Sequence, residues 1–152
     1  MNSLKKILLA EDNPKDAELA LEGFKAHHLA NAIDAVGDGA DALDYLHCRG
    51  RYDGRPGGNP VLILLDLKMP RIDGLEVLQT IKADPQLKRI PVVVMTSSHD
   101  EQDIIRSQQL GAVAYVLKPV RFGDFLDAIA ELGILCALAD DTEQLESSDT
   151  PR

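Results

Sequence analysis

Five residues with reactive or metal-binding side chains follow short apolar runs of this sequence. Glu11 and Asp12 follow the first run, Asp66 the third, Thr96 the fourth and Lys118 the fifth. If these runs are parallel strands of one sheet, their carboxyl ends meet at the same edge, where open α/β sheets bind their ligands. The sequence therefore predicts a crevice that holds three carboxylates, one hydroxyl and one ammonium group.

Such a crevice has the groups that phosphoryl capture needs. Three carboxylates repel one another unless one takes up a proton or a cation neutralises them, and Mg²⁺ suits hard oxygen ligands. Lys118 can pair with an oxyanion, and Thr96 can donate a hydrogen bond. An aspartate could then attack phosphorus while the cations neutralise the transferring oxygens. Each residue alone has an ordinary explanation, such as a helix cap, but their coincidence at four strand ends favours a functional site.

The apolar runs that must position these residues are predicted strands. Their β-branched residues and the turn residues at their borders favour strands over helices. The second run is the weakest, because Asp34 lies inside it. The predicted strands are Ile7–Ala10, Ala32–Val36, Val61–Leu65, Val92–Met95 and Ala114–Leu117.

Helical patterns lie between and after the strands. Asn13 is a candidate N-cap, with Pro14 at the first helical position. Asp100 can cap a fourth helix that presents Ile104, Ile105 and Leu110 on one face and closes at Gly111. Five strand–helix alternations predict an α/β fold with helices on both faces of a parallel sheet. The doubly wound, flavodoxin-like (βα)5 order 2-1-3-4-5 fits this length, whereas a full dinucleotide-binding fold needs six strands.

Composition excludes several classes of protein. The 152 residues are 45% hydrophobic and carry a net charge of −9, which suits one globular domain and argues against a nucleic-acid binder. Two cysteines, Cys48 and Cys136, cannot form a disulfide framework. No apolar run is long enough to cross a membrane, and Met1–Ala10 lacks the features of a secretory signal. We expect a cytoplasmic protein with no nucleic-acid or membrane partner.

Two segments depart from the alternating pattern. Residues 49–60 contain four Gly and two Pro and are predicted to be a surface loop. Residues 140–152 contain five acidic residues, one Leu and no aromatic residue, so they cannot bury enough surface to offset their ordering entropy. We expect one folded domain over residues 4–139 and a disordered acidic tail over 140–152.

Four motifs together resemble the receiver domain of response regulators in two-component signalling. They are ILLAEDNP, LILLDLKMPRIDGLEVL, IPVVVMTSS and GAVAYVLKPV, and they occur in this order over about residues 4–135. The resemblance implies that Asp66 is the phosphoacceptor. It also implies that Asp12 and Asp66 bind Mg²⁺ directly, that Glu11 acts through water, and that the backbone carbonyl of Lys68 is a further ligand.

The resemblance assigns roles to four more residues. Thr96 matches the switch hydroxyl that follows the phosphoryl group, and Lys118 matches the lysine that pairs with phosphate. The bond to Pro119 would be cis, which proline makes accessible. Tyr115 matches the aromatic switch, whose ring turns inward as Thr96 moves.

The family mechanism implies a signalling protein rather than a conventional enzyme. A histidine kinase would donate its phosphoryl group to Asp66, the surface of helix 4, strand 5 and helix 5 would change, and hydrolysis would reset the protein. The alternative with the same chemistry is a phosphorelay intermediate that passes the group to a histidine phosphotransfer protein. A Mg²⁺-dependent phosphatase is disfavoured, because Lys68 stands where its general acid would be an aspartate. A flavin carrier is disfavoured because the acidic turn after strand 1 repels phosphate.

Other features suggest the input and the output. The loop at 49–60 and the stretches ADPQLKRIPVVVMTSS and DEQDIIRSQQLGAVAYVLKP are similar to stand-alone receivers paired with bacterial phytochrome kinases. This similarity implies a bacteriophytochrome as the kinase. We expect output by protein contact, to an unknown downstream protein, because the chain has no room for a DNA-binding domain.

The last predicted helix is apolar on all sides, which is typical of a buried surface or an interface. We expect a homodimer through helix 4, strand 5 and helix 5, with Ile134, Leu135 and Leu138 at the contact. The alternative is that the chain end folds back on its own core.

Overall fold

The computed structural model describes residues 6–26, 33–56, 58–96 and 101–118. Within these ranges, five strands alternate with four α-helices and one short 3-10 helix. The strands are β1 (Ile7–Ala10), β2 (Ile33–Val36), β3 (Leu62–Asp66), β4 (Val92–Thr96) and β5 (Ala114–Leu117). The α-helices are α1 (Pro14–Ala26), α2 (Gly39–Leu46), α3 (Gly74–Ala83) and α4 (Glu101–Gln109), and the 3-10 helix is Gly50–Tyr52.

The strands form one parallel sheet in the order β2-β1-β3-β4-β5. This order confirms the flavodoxin-like prediction. The register places Ala10 beside Val36 and Leu65, and Asp66 beside Met95. The carboxyl ends of β1, β3 and β4 are therefore neighbours at one edge.

Helices cover both faces of the sheet, as its apolar strands require. Leu8 and Ile63 join α2 and α3 in one buried cluster, whereas Leu9 and Leu64 join α1 in the other. β1, β3 and β4 are buried at every residue, which explains why their sequences are continuously apolar. Helices thus cover both faces of the sheet, and a polar site can form only at the edge where the strands end.

The predicted element ends differ from the observed ends in small ways that bear on the site. β3 begins and ends one residue later than predicted, and β4 ends one residue later, so that Asp66 and Thr96 belong to the strands. The α1 prediction is confirmed, because Asn13 Oδ1 accepts hydrogen bonds from the backbone N–H groups of Lys15 and Asp16. The register of the sheet therefore sets the positions of Asp66 and Thr96.

Two polar or exposed residues depart from the simple apolar pattern. Asp34, inside the edge strand β2, accepts a hydrogen bond of 2.5 Å from the Tyr45 hydroxyl, and this partner explains its place in an apolar run.

The sequence predicts Ile105 on one face of α4, together with Ile104 and Leu110. The structure corrects this, because Ile105 is 51% exposed while the other two are half-buried.

The loop after α2 is tied to that helix by Arg55. Its guanidinium stacks 4.0 Å from the centre of the Tyr45 ring. Its Nε donates to the Tyr45 carbonyl at 3.0 Å, and its Nη1 donates to the Gly58 carbonyl at 2.8 Å. The described part of the predicted loop therefore contains the 3-10 helix Gly50–Tyr52, is otherwise irregular, and has an anchor on α2.

Several predictions concern residues outside the described ranges. They include the fifth helix, the cap of α4, the boundary of the folded domain and the acidic tail. The predictions outside the described ranges fall on Asp100, Pro119, Ile134, Leu135, Cys136, Leu138 and residues 140–152.

No helix in the described part of the chain combines the length and apolar content that crossing a membrane requires.

Gly74 is needed where α3 begins, because it packs against the backbone at the end of β3. A Cβ atom at this position would lie 2.3 Å from the Asp66 carbonyl oxygen and 2.6 Å from Leu67 Cα. We expect Gly74→Ala to lower the free energy of unfolding by about 3 kcal/mol, since rigid backbone must move. Urea unfolding measures this effect. Gly37→Ala is the matched control, because a Cβ there has no atom within 4 Å; equal losses in the two variants would contradict the steric argument.

Candidate functional site

The carboxyl edge of the sheet brings three predicted carboxylates together. Glu11 and Asp12 follow β1, and Asp66 ends β3 next to it. One carboxylate oxygen from each of the three lies within 4.8 Å of the others. Glu11 and Asp66 are buried, while Asp12 is exposed. Adjacent parallel strands thus produce the acidic cluster that the sequence predicted.

Lys118 reaches into this cluster from the end of β5. Its Nζ lies 2.8 Å from Glu11 Oε1 and 3.0 Å from Asp66 Oδ2. A third carboxylate, that of Asp16 in the first turn of α1, lies 3.3 Å from the same nitrogen. The Lys118 side chain is only 10% exposed. The ammonium group therefore sits among three anions and largely out of water.

The three carboxylates of the acidic cluster carry more negative charge than one lysine neutralises, and burial, more than this charge, shifts the pKa of Glu11. Burial raises the pKa of Glu11 to about 7, against the opposing effect of its hydrogen bond with Lys118. Partial desolvation and the neighbouring Asp66 raise the pKa of Asp12. Burial opposes the charged form of Lys118, but hydrogen bonds with Glu11 and Asp66 outweigh it and raise the pKa of the lysine. A further positive charge would stabilise this site.

The donor set fits a hard divalent cation. Glu11, Asp12 and Asp66 offer carboxylate oxygens, which Mg²⁺ and similar ions prefer. The two oxygens of Asp66 have different partners: Oδ1 accepts a hydrogen bond of 3.1 Å from the Lys68 backbone N–H, and Oδ2 faces Lys118. The carboxylate is thereby fixed in orientation.

Thr96 and Tyr115 lie on the side of the site formed by β4 and β5. Thr96 is buried, and its carbonyl oxygen accepts a hydrogen bond of 2.9 Å from the Lys118 backbone N–H. Tyr115 is 44% exposed, so its ring faces solvent in this structure. This backbone hydrogen bond joins the end of β4, which carries Thr96, to Lys118.

The Lys68 side chain, two positions after Asp66, forms an ion pair with α4. Its Nζ lies 3.2 Å from Asp103 Oδ2. The ion pair joins the loop after β3 to α4.

Sequence reasoning missed two ionic contacts, one within the site and one made by the loop after β3. Asp16 contacts Lys118, and its only signal was an acidic residue in the first turn of the helix after the acidic pair. Arg71 has a left-handed backbone, with φ of 67°, and its Nη2 lies 3.0 Å from Asp38 Oδ1. Burial opposes ionisation of Asp38, but the Arg71 contacts and backbone hydrogen bonds outweigh it and lower the pKa of Asp38. This pair joins the loop after β3 to the N-cap of α2.

Comparisons with known proteins agree with this geometry. The response regulator receiver domain family matches residues 7–130. Response regulator Rcp1 of Synechocystis sp. is 41% identical over 128 residues, which are 84% of this chain and 86% of Rcp1. A solved Mn²⁺-bound form of Rcp1 superposes with a TM-score of 0.71 at 37% identity, covering 97% of this chain and 99% of that one.

Two further solved structures are similar. The bacteriophytochrome response regulator AtBRR is 53% identical, with a TM-score of 0.79 and coverage of 87% of this chain and 94% of that one. The phosphorylated cyanobacterial phytochrome response regulator RcpA is 37% identical, with a TM-score of 0.74 and coverage of 95% and 100%. With its sheet order, acidic cluster and buried lysine, this chain belongs to the response regulator receiver family and has the phosphoacceptor role of that family in two-component signalling.

Proposed function

We propose that a histidine kinase phosphorylates this protein on Asp66 with Mg²⁺ bound. The observation that carries this proposal is the 3.0 Å contact between Lys118 Nζ and Asp66 Oδ2 inside the cluster of carboxylates. Asp66 is held in place, charged groups surround it, and it lies at the edge where partners can approach. Glu11, Asp12 and Asp66 would hold the ion, together with the backbone carbonyl of Lys68.

The chemical step is a displacement at phosphorus. An oxygen of Asp66 forms a new bond to the phosphorus of a phosphohistidine, the P–N bond breaks, and its electron pair stays on the imidazole, which takes a proton. Lys118 neutralises a phosphoryl oxygen, and Thr96 donates to another after it moves. Bound Mg²⁺ supplies positive charge to the transferring oxygens. Autodephosphorylation transfers the group to water, so we propose no conventional enzyme activity.

The proposed kinase is a bacteriophytochrome. Support comes from the two phytochrome-associated regulators described above, AtBRR and RcpA. Because these relatives are named response regulators, we favour this role over that of a phosphorelay intermediate. We place the protein in the cytoplasm, where such kinases present their phosphohistidine.

We further propose that the output is protein contact, including a homodimer through α4, β5 and the predicted fifth helix. On the described part of this surface, Ile105, Val113, Tyr115 and Leu117 are between 43% and 51% exposed. Phosphorylation would change this surface through Thr96 and Tyr115. The folded domain is proposed to span residues 4–139, with the acidic tail after it.

A small-molecule phosphodonor tests the phosphoacceptor chemistry without the kinase. We expect incubation with Mg²⁺ to add one phosphoryl group, seen by intact mass, and peptide mapping to place it on Asp66. Chelation of the metal should abolish the gain, because the acidic cluster then repels the anionic donor. A gain that is equal in chelator, or that maps to another residue, would contradict the proposal.

A further inference from the structure

We infer that Asp16 is a positioning residue for Lys118, an inference that rests on the proposed phosphorylation of Asp66. Asp16 Oδ2 lies 3.3 Å from Lys118 Nζ. A lysine ammonium has three protons, and three carboxylates surround this one: those of Glu11, Asp66 and Asp16. Asp16 therefore completes a three-point hold on the ammonium group.

The three carboxylates that contact Lys118 differ in their exposure to solvent. The side chains of Glu11 and Asp66 are 1% and 3% exposed, whereas that of Asp16 is 30% exposed. Asp16 is thus the contact on the solvent side. Lysine has a long flexible stem and a strongly hydrated head, so without this contact the ammonium group keeps two buried carboxylates but loses its anchor on the solvent side.

Asp16 also differs from the other two carboxylates in its relation to the metal. Glu11 and Asp66 belong to the group of described residues that could hold an ion, and Asp16 does not. With a divalent cation bound, Glu11 and Asp66 would share their negative charge between the cation and Lys118. Asp16, outside that group, would face the lysine and solvent but not the cation. Its positioning effect should therefore be largest in the metal-loaded protein, the state that accepts phosphoryl groups.

Positioning before the reaction matters because a prearranged charge needs no reorganisation as the phosphoryl group transfers. Removing Asp16 should leave the metal site intact but make Lys118 mobile. The signature is a lower maximal rate of phosphorylation with unchanged Mg²⁺ affinity. A residue that only stabilised the fold would not produce this combination.

The test compares Asp16→Asn with Asp16→Glu and with Glu18→Gln in the full chain. Glu18 is an exposed acid on the same helix, so its variant has the same change in net charge. We expect ¹⁵N NMR of the Mg²⁺-loaded protein to show an ordered Lys118 ammonium group in wild type and in Glu18→Gln. In Asp16→Asn its hydrogen exchange with water should be at least about fivefold faster, and Asp16→Glu should restore part of the order.

Kinetics with a small-molecule phosphodonor provide the second readout. We expect Asp16→Asn to lower the maximal rate about five- to tenfold, with Mg²⁺ affinity within about twofold of wild type. An equally ordered ammonium group in Asp16→Asn would overturn the inference. A tenfold loss of Mg²⁺ affinity would also overturn it, because Asp16 would then act through the metal. If wild type takes up no phosphoryl group, the proposed function fails, and the NMR result still decides whether Asp16 positions Lys118.

Discussion

Replacing Asp66 with asparagine should abolish phosphorylation and leave the fold intact. The amide is not an anionic nucleophile, so we expect the rate of phosphoryl uptake to fall by at least about 10³-fold. The carbonyl oxygen of the new amide can still accept the Lys68 N–H bond, and Lys118 keeps Glu11 and Asp16 as partners. The change also removes one of three carboxylates that repel one another. We therefore expect the free energy of unfolding without metal to be equal to that of wild type or higher.

Intact mass after incubation with phosphodonor and Mg²⁺ measures the chemical effect, and urea unfolding measures the effect on stability. Asp53→Asn is the matched control, because Asp53 is an exposed aspartate in the loop after α2; it should take up phosphoryl groups like wild type. Persistent uptake by Asp66→Asn would show that another residue is the nucleophile. A large loss of stability would show that Asp66 has a structural role instead.

Replacing Lys118 with methionine should weaken both the fold and the chemistry. The side chain keeps much of the apolar stem, but the carboxylates of Glu11, Asp66 and Asp16 lose their shared cation. Breaking a buried ion pair by removing one partner leaves uncompensated charge. Since Asp16 is partly exposed and Glu11 can take up a proton, we expect a loss of about 2 kcal/mol in the free energy of unfolding without metal. The rate of phosphorylation should fall about 10²-fold, because a charge that stabilises the transferring oxygens is gone.

The effect of Mg²⁺ on stability distinguishes the loss of the Lys118 charge from a nonspecific destabilisation of the fold. A divalent cation supplies positive charge to the same carboxylates, so we expect it to stabilise Lys118→Met more than wild type in urea unfolding. Lys88→Met serves as the control, since Lys88 is an exposed lysine far along the sequence from the site, and it should behave like wild type in both assays. A Lys118→Met variant that is phosphorylated at the wild-type rate would refute the role of the lysine.

The parallel sheet, and the edge where the site lies, could be predicted from local sequence patterns. β3 and β4 are continuously apolar because they are buried on both faces, and this local signal needs no knowledge of partners. Glu11, Asp66 and Lys118 could be placed at one edge because parallel strands end together. Where the signal was weak, as in the edge strand β2, the reason is physical: Asp34 is kept in an apolar run by the Tyr45 hydroxyl.

Which of these side chains meet, and in what geometry, depends on how distant elements pack. The contact between Asp16 and Lys118 joins residues 102 positions apart in the chain, and no periodicity within either segment encodes it. The direction of Lys68 toward Asp103, and the exposure of Ile105, likewise depend on where α4 lies against the loop after β3. Such contacts depend on the packing of whole elements, since a local pattern sets the face of a helix but not its neighbours across the fold.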